Sequence, residues 1–240
     1  MQLRILYHDE FLICVDKPAG FHVHPPEDQR HKISKFQNCL YVLGRQIDAR
    51  LFPVHRLDRA TSGVLVFALS SEVAAAMGRQ FAGGTIEKTY YAVVRGWLED
   101  QGVITEPLRA EHDDEVQKES RTEYETVGRL ELPVAMGPHE TSRYSLVRIH
   151  PKTGRMHQIR RHFRFISHPL IGDTIYGEGA HNRLFREKLG GRNLLLKAHE
   201  LRLRHPVHDQ DLHLTAKWNQ PWHQVFDLFG VCPLAQKSPV

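Results

Sequence analysis

The apolar positions of this chain recur in short segments, and most of these segments predict β-strands separated by polar turns. The strands are expected over residues 3–7, 11–15, 64–69, 89–94, 121–127, 142–149 and 194–204. The run over 64–69 is apolar without a break and is short, which is typical of a buried strand. The polar pair Asp9-Glu10 separates the first two strands and predicts the turn between them.

Helical spacing of apolar residues, together with capping and stop signals, predicts four helices. They are expected over 32–48, from Ser70 or Ser71 to Gly83-Gly84, after Thr153-Gly154, and over 221–229. Strands dominate, and the helices interrupt them without a βαβ rhythm. The fold class is therefore predicted to be α+β, with a mixed, mostly antiparallel central sheet and flanking helices.

The composition narrows the class of protein only a little. Of the 240 residues, 41% are hydrophobic and 25% are charged, which is ordinary for a globular protein. No apolar run approaches the roughly 20 residues that cross a bilayer, and Asp9, Glu10 and Asp16 interrupt the segment where a signal peptide would be apolar. We expect a cytoplasmic protein without a membrane partner. Residues 1–240 are expected to form a single domain, with 110–120 as an exposed connection.

The first candidate for chemistry is Asp58, which lies between Arg56 and Arg59 in a segment that leads into the strand over 64–69. Adjacent cations stabilise the ionised form of a carboxyl group and lower its pKa. Such a carboxylate is a poor general base near neutral pH, but it can act as a nucleophile or stabilise a developing cation. The alternative is a strand cap with a surface ion pair, which spacing alone favours.

The second candidate is the basic stretch that begins at Pro151 and carries no acid up to Gly172. Thr153 is a predicted N-cap, which would gather backbone N–H groups and Arg155 at a helix end suited to phosphate. On a helical wheel, Arg160 lies at the edge of the apolar face, whereas Arg161 and Arg164 point further outward. A solvated helix face is an equally good interpretation of the charges alone.

An arginine at a core boundary needs an anionic partner, because an unpaired buried charge costs several kcal/mol. Asp58 is the candidate partner for Arg160.

The third candidate is Tyr90, in the strand over 89–94. Tyr90 either lines a pocket and stacks on a base or fills the core with Tyr91, and the core interpretation is favoured for at least one of the two tyrosines.

Neither a metal nor a nucleotide cofactor is predicted from the motifs. His157, His162 and His168 do not share a helical face, and the chain contains no HExxH, GxGxxG or GxxxxGK[ST] pattern. The three cysteines are far apart and form no CxxC pair. His157, His162 and His168 are better explained as capping or RNA-contacting residues.

Taken together, four segments resemble the family of pseudouridine synthases typified by ribosomal large-subunit synthase A. In chain order they are Asp16-Lys17-Pro18-Ala19-Gly20, His55-Arg56-Leu57-Asp58-Arg59 with Thr61-Ser62-Gly63, Lys88-Thr89-Tyr90-Tyr91-Ala92, and Gly154-Arg155-Met156-His157-Gln158-Ile159-Arg160. The resemblance runs in order from about residue 3 to 215. Four motifs in family order are far more specific than any one of them.

The resemblance implies roles for individual residues. Asp58 would be the catalytic carboxylate, Tyr90 would stack in the pocket, and Arg160 would form a salt bridge with Asp58. Arg56 would enter the RNA stack where the target base left. The full set of residues implied to bind RNA is Arg56, His55, Arg59, Lys17, Lys152, Arg155, His157, Arg161 and Arg164.

The family fold implied is a mostly antiparallel sheet with a catalytic cleft between two lobes, with no cofactor and no metal. Many members carry an N-terminal RNA-binding domain of the S4 type, which is not expected here because the resemblance begins at about residue 3. The substrate implied is uridine 65 of tRNA, since Ser167–Asp173 resembles a subgroup that modifies bacterial tRNA. The alternatives are a ribosomal RNA synthase of the same family and a non-catalytic RNA-binding module. No obligate protein partner is predicted.

Overall fold

The computed structural model describes residues 2–24, 34–109, 116–191 and 193–233. The strands are β1 (Arg4–His8), β2 (Leu12–Lys17), β3 (Phe52–Pro53), β4 (Ser62–Ala68), β5 (Glu87–Arg95), β6 (Gln101–Ile104), β7 (Leu108–Arg109), β8 (Gln117–Lys118), β9 (Thr122–Leu132), β10 (Ser142–Pro151), β11 (Leu196–Arg204) and β12 (Asp211–Thr215). The helices are α1 (Cys39–Ile47), α2 (Ser71–Ala82), α3 (Gln158–Phe165), α4 (Gly179–Leu189) and α5 (Gln220–Phe229), with a 3₁₀ turn at Lys35–Gln37.

The chain folds as two compact units, and β5 passes from the first into the second between Tyr90 and Tyr91. The first unit comprises residues 1–90 and 197–217, and the second comprises 91–196 and 218–240. A single catalytic domain over 1–240 stays a prediction. No helix among the described residues is long and apolar enough to span a membrane.

The first unit is built on strands in the order β1-β2-β4-β11, with β12 paired to β11 and β3 to β4. The β4–β11 pair is parallel, and the other pairs of this unit are antiparallel. Every residue of β4 is buried. Leu65 and Phe67 belong to one apolar cluster, and Val64 and Val66 to another, as alternation of side chains across a strand requires. The continuous apolar run over 64–69 is thus explained by burial on both faces.

Gly63 is a point of close approach between β4 and β11. Its φ is +121°, and a Cβ atom placed there would lie 1.9 Å from the carbonyl oxygen of Ala198. Only glycine can occupy this position without moving backbone. The close approach fixes the start of β4, and with it the end of the segment that carries Asp58.

The second unit contains strands in the order β5-β10-β9-β6. The long β9–β10 pair is antiparallel and has a bulge between Leu146 and Val147. Tyr144 on β10 and Phe185 on α4 pack against residues of α5, including Trp222 and Phe226. The α+β class with a mixed, mostly antiparallel sheet is confirmed.

One predicted helix and part of the predicted connection differ from the structure. The helix over 32–48 was too long: Asn38 has extended φ and ψ, bridges to His22, and caps α1 by accepting a hydrogen bond from the N–H of Tyr41. Residues 32–33 lie outside the described residues. Of the connection over 110–120, residues 116–119 are exposed but Ser120 is buried, and 110–115 lie outside the described residues.

Candidate active site

Asp58 lies in a short loop that is fixed at both sides by backbone hydrogen bonds. Its carbonyl oxygen accepts a hydrogen bond from the N–H of Thr61 at 3.0 Å. The next residue, Arg59, accepts at its carbonyl from the N–H of Gly20 at 2.8 Å and donates from Nε to the carbonyl of Gly20 at 3.2 Å. Two of the four family-like segments, 16–20 and 55–63, therefore dock on each other.

Lys17 joins these two segments from inside the fold. Its side chain is fully buried, and Nζ donates to the carbonyl oxygens of Pro18, Phe21 and Arg59 at 3.1, 2.8 and 3.2 Å. Burial lowers the pKa of Lys17 to about 8, and the negative charge of Asp58 opposes that shift. The structure gives Lys17 a role in holding the Asp58 loop, and its RNA contact stays a prediction.

Tyr90 lies close enough to Asp58 for that carboxylate to affect the ionisation of its hydroxyl. Burial raises the pKa of the Tyr90 hydroxyl, and the negative charge of Asp58 adds to the shift. The ring is partly buried against the apolar cluster that contains Leu57 and Leu65. Its neighbour Tyr91 points the other way and is buried in the core of the second unit. Tyr91 is therefore the core tyrosine of the pair, and Tyr90 remains the candidate for base stacking.

His55 has a structural environment that sequence reasoning did not anticipate. Its Nε2 accepts a hydrogen bond from the N–H of Val66 at 3.0 Å, and its ring stacks on Phe81 at 4.8 Å. Burial lowers the pKa of His55 to about 3, with a further contribution from Lys88. The imidazole is therefore neutral and anchors the loop to β4. Arg56 and Arg59 of the same loop are exposed.

Arg160 is buried in the second unit, with 3% of the residue exposed. Its Nε and Nη2 donate to the two carboxylate oxygens of Asp173 at 2.7 and 2.9 Å. Its guanidinium group also lies over the ring of Tyr176, 5.2 Å from the centroid. Sequence analysis missed Asp173 as a partner. The pairing of Arg160 with Asp58 stays a prediction.

The carboxylate of Asp173 also holds the loop that follows it. Its Oδ1 accepts hydrogen bonds from the N–H groups of Ile175 and Tyr176 at 2.9 and 3.0 Å. Burial alone would raise the pKa of Asp173, but the hydrogen bonds from Arg160 and from these two N–H groups lower it. Asp173 is thus held as a carboxylate, and it fixes the guanidinium group and the loop together.

The predicted N-cap at Thr153 was wrong. The helix α3 begins at Gln158, and its N-cap is His157, which has a left-handed backbone with φ of 53°. Thr153 Oγ1 instead accepts from the N–H of Arg121 at 3.0 Å and donates to Gln158 Oε1 at 2.7 Å. The Thr153 hydroxyl is therefore used by these two partners and does not cap the helix.

The basic stretch is partly neutralised by acids that are distant in sequence. Lys152 forms an ion pair with Glu123 at 3.1 Å, and Arg164 with Glu178 at 3.6 Å. The Nη1 of Arg161 donates to the carbonyl oxygen of Arg109 at 3.2 Å. Lys152, Arg155 and Arg164 are exposed, and Arg161 is half-buried. The outward orientation predicted for Arg164 is confirmed, but the carboxylate of Glu178 partly neutralises its charge.

The histidines of this region make hydrogen bonds within the fold. His157 Nδ1 hydrogen-bonds the hydroxyl of Tyr176 at 3.1 Å, which ties the helix start to the Asp173 loop. His162 is buried between Ser120, Thr122 and the carbonyl of Glu106, and burial lowers its pKa. Within the described ranges, no group of three or more His, Cys, Asp or Glu side chains is placed to hold a metal ion.

Comparison with known proteins places the chain in a class. Residues 11–165 match the model of the RNA pseudouridylate synthase family. The chain belongs to this family, and it is an RNA pseudouridine synthase, an isomerase.

Particular relatives cover nearly the whole chain. The tRNA pseudouridine synthase C of Vibrio cholerae is 44% identical over 237 residues, which are 95% of this chain and 96% of the relative. The protein of the same name from Haemophilus ducreyi is 42% identical over 240 residues, 96% of this chain and 97% of the relative. The fold is also that of human RNA pseudouridylate synthase domain containing 4, with a TM-score of 0.72, 23% identity, and 95% and 93% of the two chains covered.

Proposed function

We propose that this enzyme converts a uridine of tRNA to pseudouridine, with Asp58 as the catalytic carboxylate. The observation that carries the choice of tRNA is the 44% identity, over nearly the full length of both chains, to a relative named for that substrate. The loop geometry supports the choice of Asp58, since Lys17, Gly20 and Thr61 all hold the Asp58-Arg59 backbone. Tyr90, whose pKa responds to Asp58, would stack on the uracil ring.

The reaction breaks an N-glycosidic bond and forms a C-glycosidic bond between the same base and sugar. No atom is gained or lost. A base inside an RNA helix cannot be reached, so it must be flipped out at a cost of a few kcal/mol. Arg56 is exposed and would fill the gap by stacking, which offsets part of that cost. Asp58 would add to C6 of the base, attack C1′ of the sugar, or assist elimination to a glycal, and each route needs it ionised.

Arg160 would keep Asp58 ionised, because a neighbouring cation favours the charged form of a carboxyl group. Asp173 accepts hydrogen bonds from Nε and Nη2 of Arg160. The guanidinium group is thereby held in one orientation before RNA binds. Such preorganisation avoids reorganisation during the reaction.

We propose uridine 65 as the target nucleotide, and we expect one pseudouridine per tRNA transcript when the purified enzyme is supplied with unmodified tRNA. Replacing that uridine by cytidine should remove the product, because cytosine has a different Watson–Crick edge in the pocket. The measurement is nucleotide-resolution pseudouridine mapping after a time course.

Ribosomal RNA from a strain that lacks the gene is the matched control substrate. Product in ribosomal RNA but not in tRNA would move the enzyme to the alternative substrate class. Binding of both RNAs without product in either would leave only the non-catalytic RNA-binding alternative.

The double variant Arg161→Ala/Arg164→Ala should weaken binding of many RNAs alike. Each phosphate contact contributes a slope of roughly −0.7 to −0.9 in log K against log salt, so the slope should flatten by about one unit per lost contact. The measurement is tRNA affinity across a salt series. Arg202, an exposed arginine on β11, provides a control substitution to alanine. A double variant that binds as tightly as wild type at every salt concentration would exclude this face of α3 as the RNA surface.

A further inference from the structure

The solvated face of α3 carries an aromatic residue among its arginines. Phe165 is 60% exposed and lies four residues after Arg161, so these two residues lie on neighbouring turns of one helix face. The last turn of α3 therefore exposes an aromatic ring close in sequence to the exposed Arg164. Exposed aromatic rings next to cations are what proteins use to bind unpaired nucleotides, because every base has a face that can stack.

A carboxylate occupies the space between two arginines at the same end of α3. Oε1 of Glu178 contacts Nη1 of Arg95 and lies 3.6 Å from Nη1 of Arg164. About a third of the Arg95 and Glu178 side chains and half of the Arg164 side chain are exposed. Solvent, and hence a ligand, can therefore reach all three groups.

Arg95 is also held in place by the backbone. Nη2 of Arg95 donates to the carbonyl oxygen of Ser167 at 2.9 Å, and Ser167 has a left-handed backbone with φ of 65°. Glu178 is the N-cap residue of α4, but its side chain makes no capping hydrogen bond to that helix. Oε1 of the carboxylate is directed at the arginines and Oε2 lies 3.6 Å from Nε2 of His181. A phosphate oxygen at the Oε1 position would make the same kind of charge-assisted contact with the arginines.

We propose that Arg95, Arg164 and Phe165 form an RNA-binding patch outside the Asp58 loop. Phe165 stacks on an unpaired base, and the two guanidinium groups bind a backbone phosphate that displaces Glu178. Glu178 then acts as an internal counter-ion that lowers affinity for RNAs unable to offer both groups. The proposal rests on the proposed function, because the ligand is the substrate RNA. The patch fits RNA better than an acidic protein, because RNA carries a base that can stack next to each phosphate and an acidic protein carries no base.

Opposite effects of two substitutions test the patch. Phe165→Ala should weaken binding of an unmodified tRNA transcript about tenfold, because stacking on one base is lost, and Phe165→Tyr should restore it. Glu178→Gln should tighten binding on the order of threefold at low salt and steepen the salt slope by roughly 0.7 to 0.9, because the phosphate no longer competes with a carboxylate. Melting temperatures are measured for each variant.

The matched control for the lost charge is Glu131→Gln. Glu131 accepts hydrogen bonds from Arg143 and Thr141 on a surface that also exposes Trp97, so the net charge changes equally at another arginine beside an aromatic ring. Glu178→Gln binding no tighter than Glu131→Gln would overturn the counter-ion role. If Phe165→Ala binds tRNA like wild type, the stacking role is overturned. The stacking role is also overturned if the wild-type protein binds an acidic protein fragment tightly and Phe165→Ala abolishes that binding but leaves tRNA binding intact. Wild-type turnover on the same transcript is measured in parallel, so that absence of pseudouridine counts against the proposed function and not against the patch.

Discussion

Asp58→Asn is expected to lower pseudouridine formation by a factor of at least about a thousand, as loss of a catalytic group that acts in the chemical step does. The amide keeps the shape of the side chain but removes the negative charge that every proposed route requires. The loop should persist, because the Asp58 carbonyl accepts from the Thr61 N–H and the Lys17 ammonium binds the Arg59 carbonyl. The measurement is single-turnover product formation with excess enzyme.

Asp48→Asn is a suitable control for this substitution. Asp48 is exposed, lies in the same unit, and has a left-handed backbone with φ of 51°, which asparagine adopts readily. It changes the net charge identically and should leave turnover and tRNA affinity unchanged. Asp58→Asn activity within tenfold of wild type, with an unaltered melting temperature, would remove Asp58 from the catalytic role.

Local patterns in the sequence predicted those parts of the fold that depend on neighbouring residues. The continuous apolar run over 64–69 predicted a buried strand, and Ser70 caps α2 by accepting from the N–H of Val73. The start of α3 was predicted too early because Thr153, the predicted N-cap, is bound to other partners. The Thr153 hydroxyl is bound to Arg121 and Gln158, and no local signal reveals the contact with Arg121, which immediately precedes β9.

The ion pairs of the candidate site could not be predicted from local patterns either, because their partners are distant in sequence. Sequence analysis identified Arg160 as an arginine that needs a carboxylate partner, and it offered only Asp58. Asp173 was visible at the end of the Ser167–Asp173 segment, but thirteen residues and a turn separate it from Arg160. The acids opposite the basic stretch, Glu123 and Glu178, come from β9 and from the start of α4. A charge run in a sequence does not reveal which counter-ions the fold will supply.

Arg160→Met is expected to inactivate the enzyme and to lower its free energy of unfolding by about 3–5 kcal/mol. The substitution leaves the buried Asp173 carboxylate without its bidentate cation, although the Ile175 and Tyr176 N–H groups still donate to it. The hydrogen bonds that lower the Asp173 pKa would be halved in number, so the carboxyl group should take up a proton at higher pH than in wild type. The measurement is urea unfolding at two pH values, alongside single-turnover activity.

The sign of the pH effect separates a buried pair from a solvated one. A carboxyl group with a lowered pKa contributes stability that is present above its unfolded pKa and lost as pH falls through its folded pKa. The free energy of unfolding of wild type should therefore exceed that of Arg160→Met by more at neutral pH than at acidic pH. At acidic pH, Asp173 is protonated in the variant and is no longer an unpaired buried charge. Arg164→Met is the control, because its ion pair with Glu178 is exposed and worth about 1 kcal/mol or less. Equal unfolding free energies for wild type and Arg160→Met would show that the Arg160–Asp173 pair makes no net contribution to stability. A loss of activity in that variant would then have to come from the chemistry at Asp58.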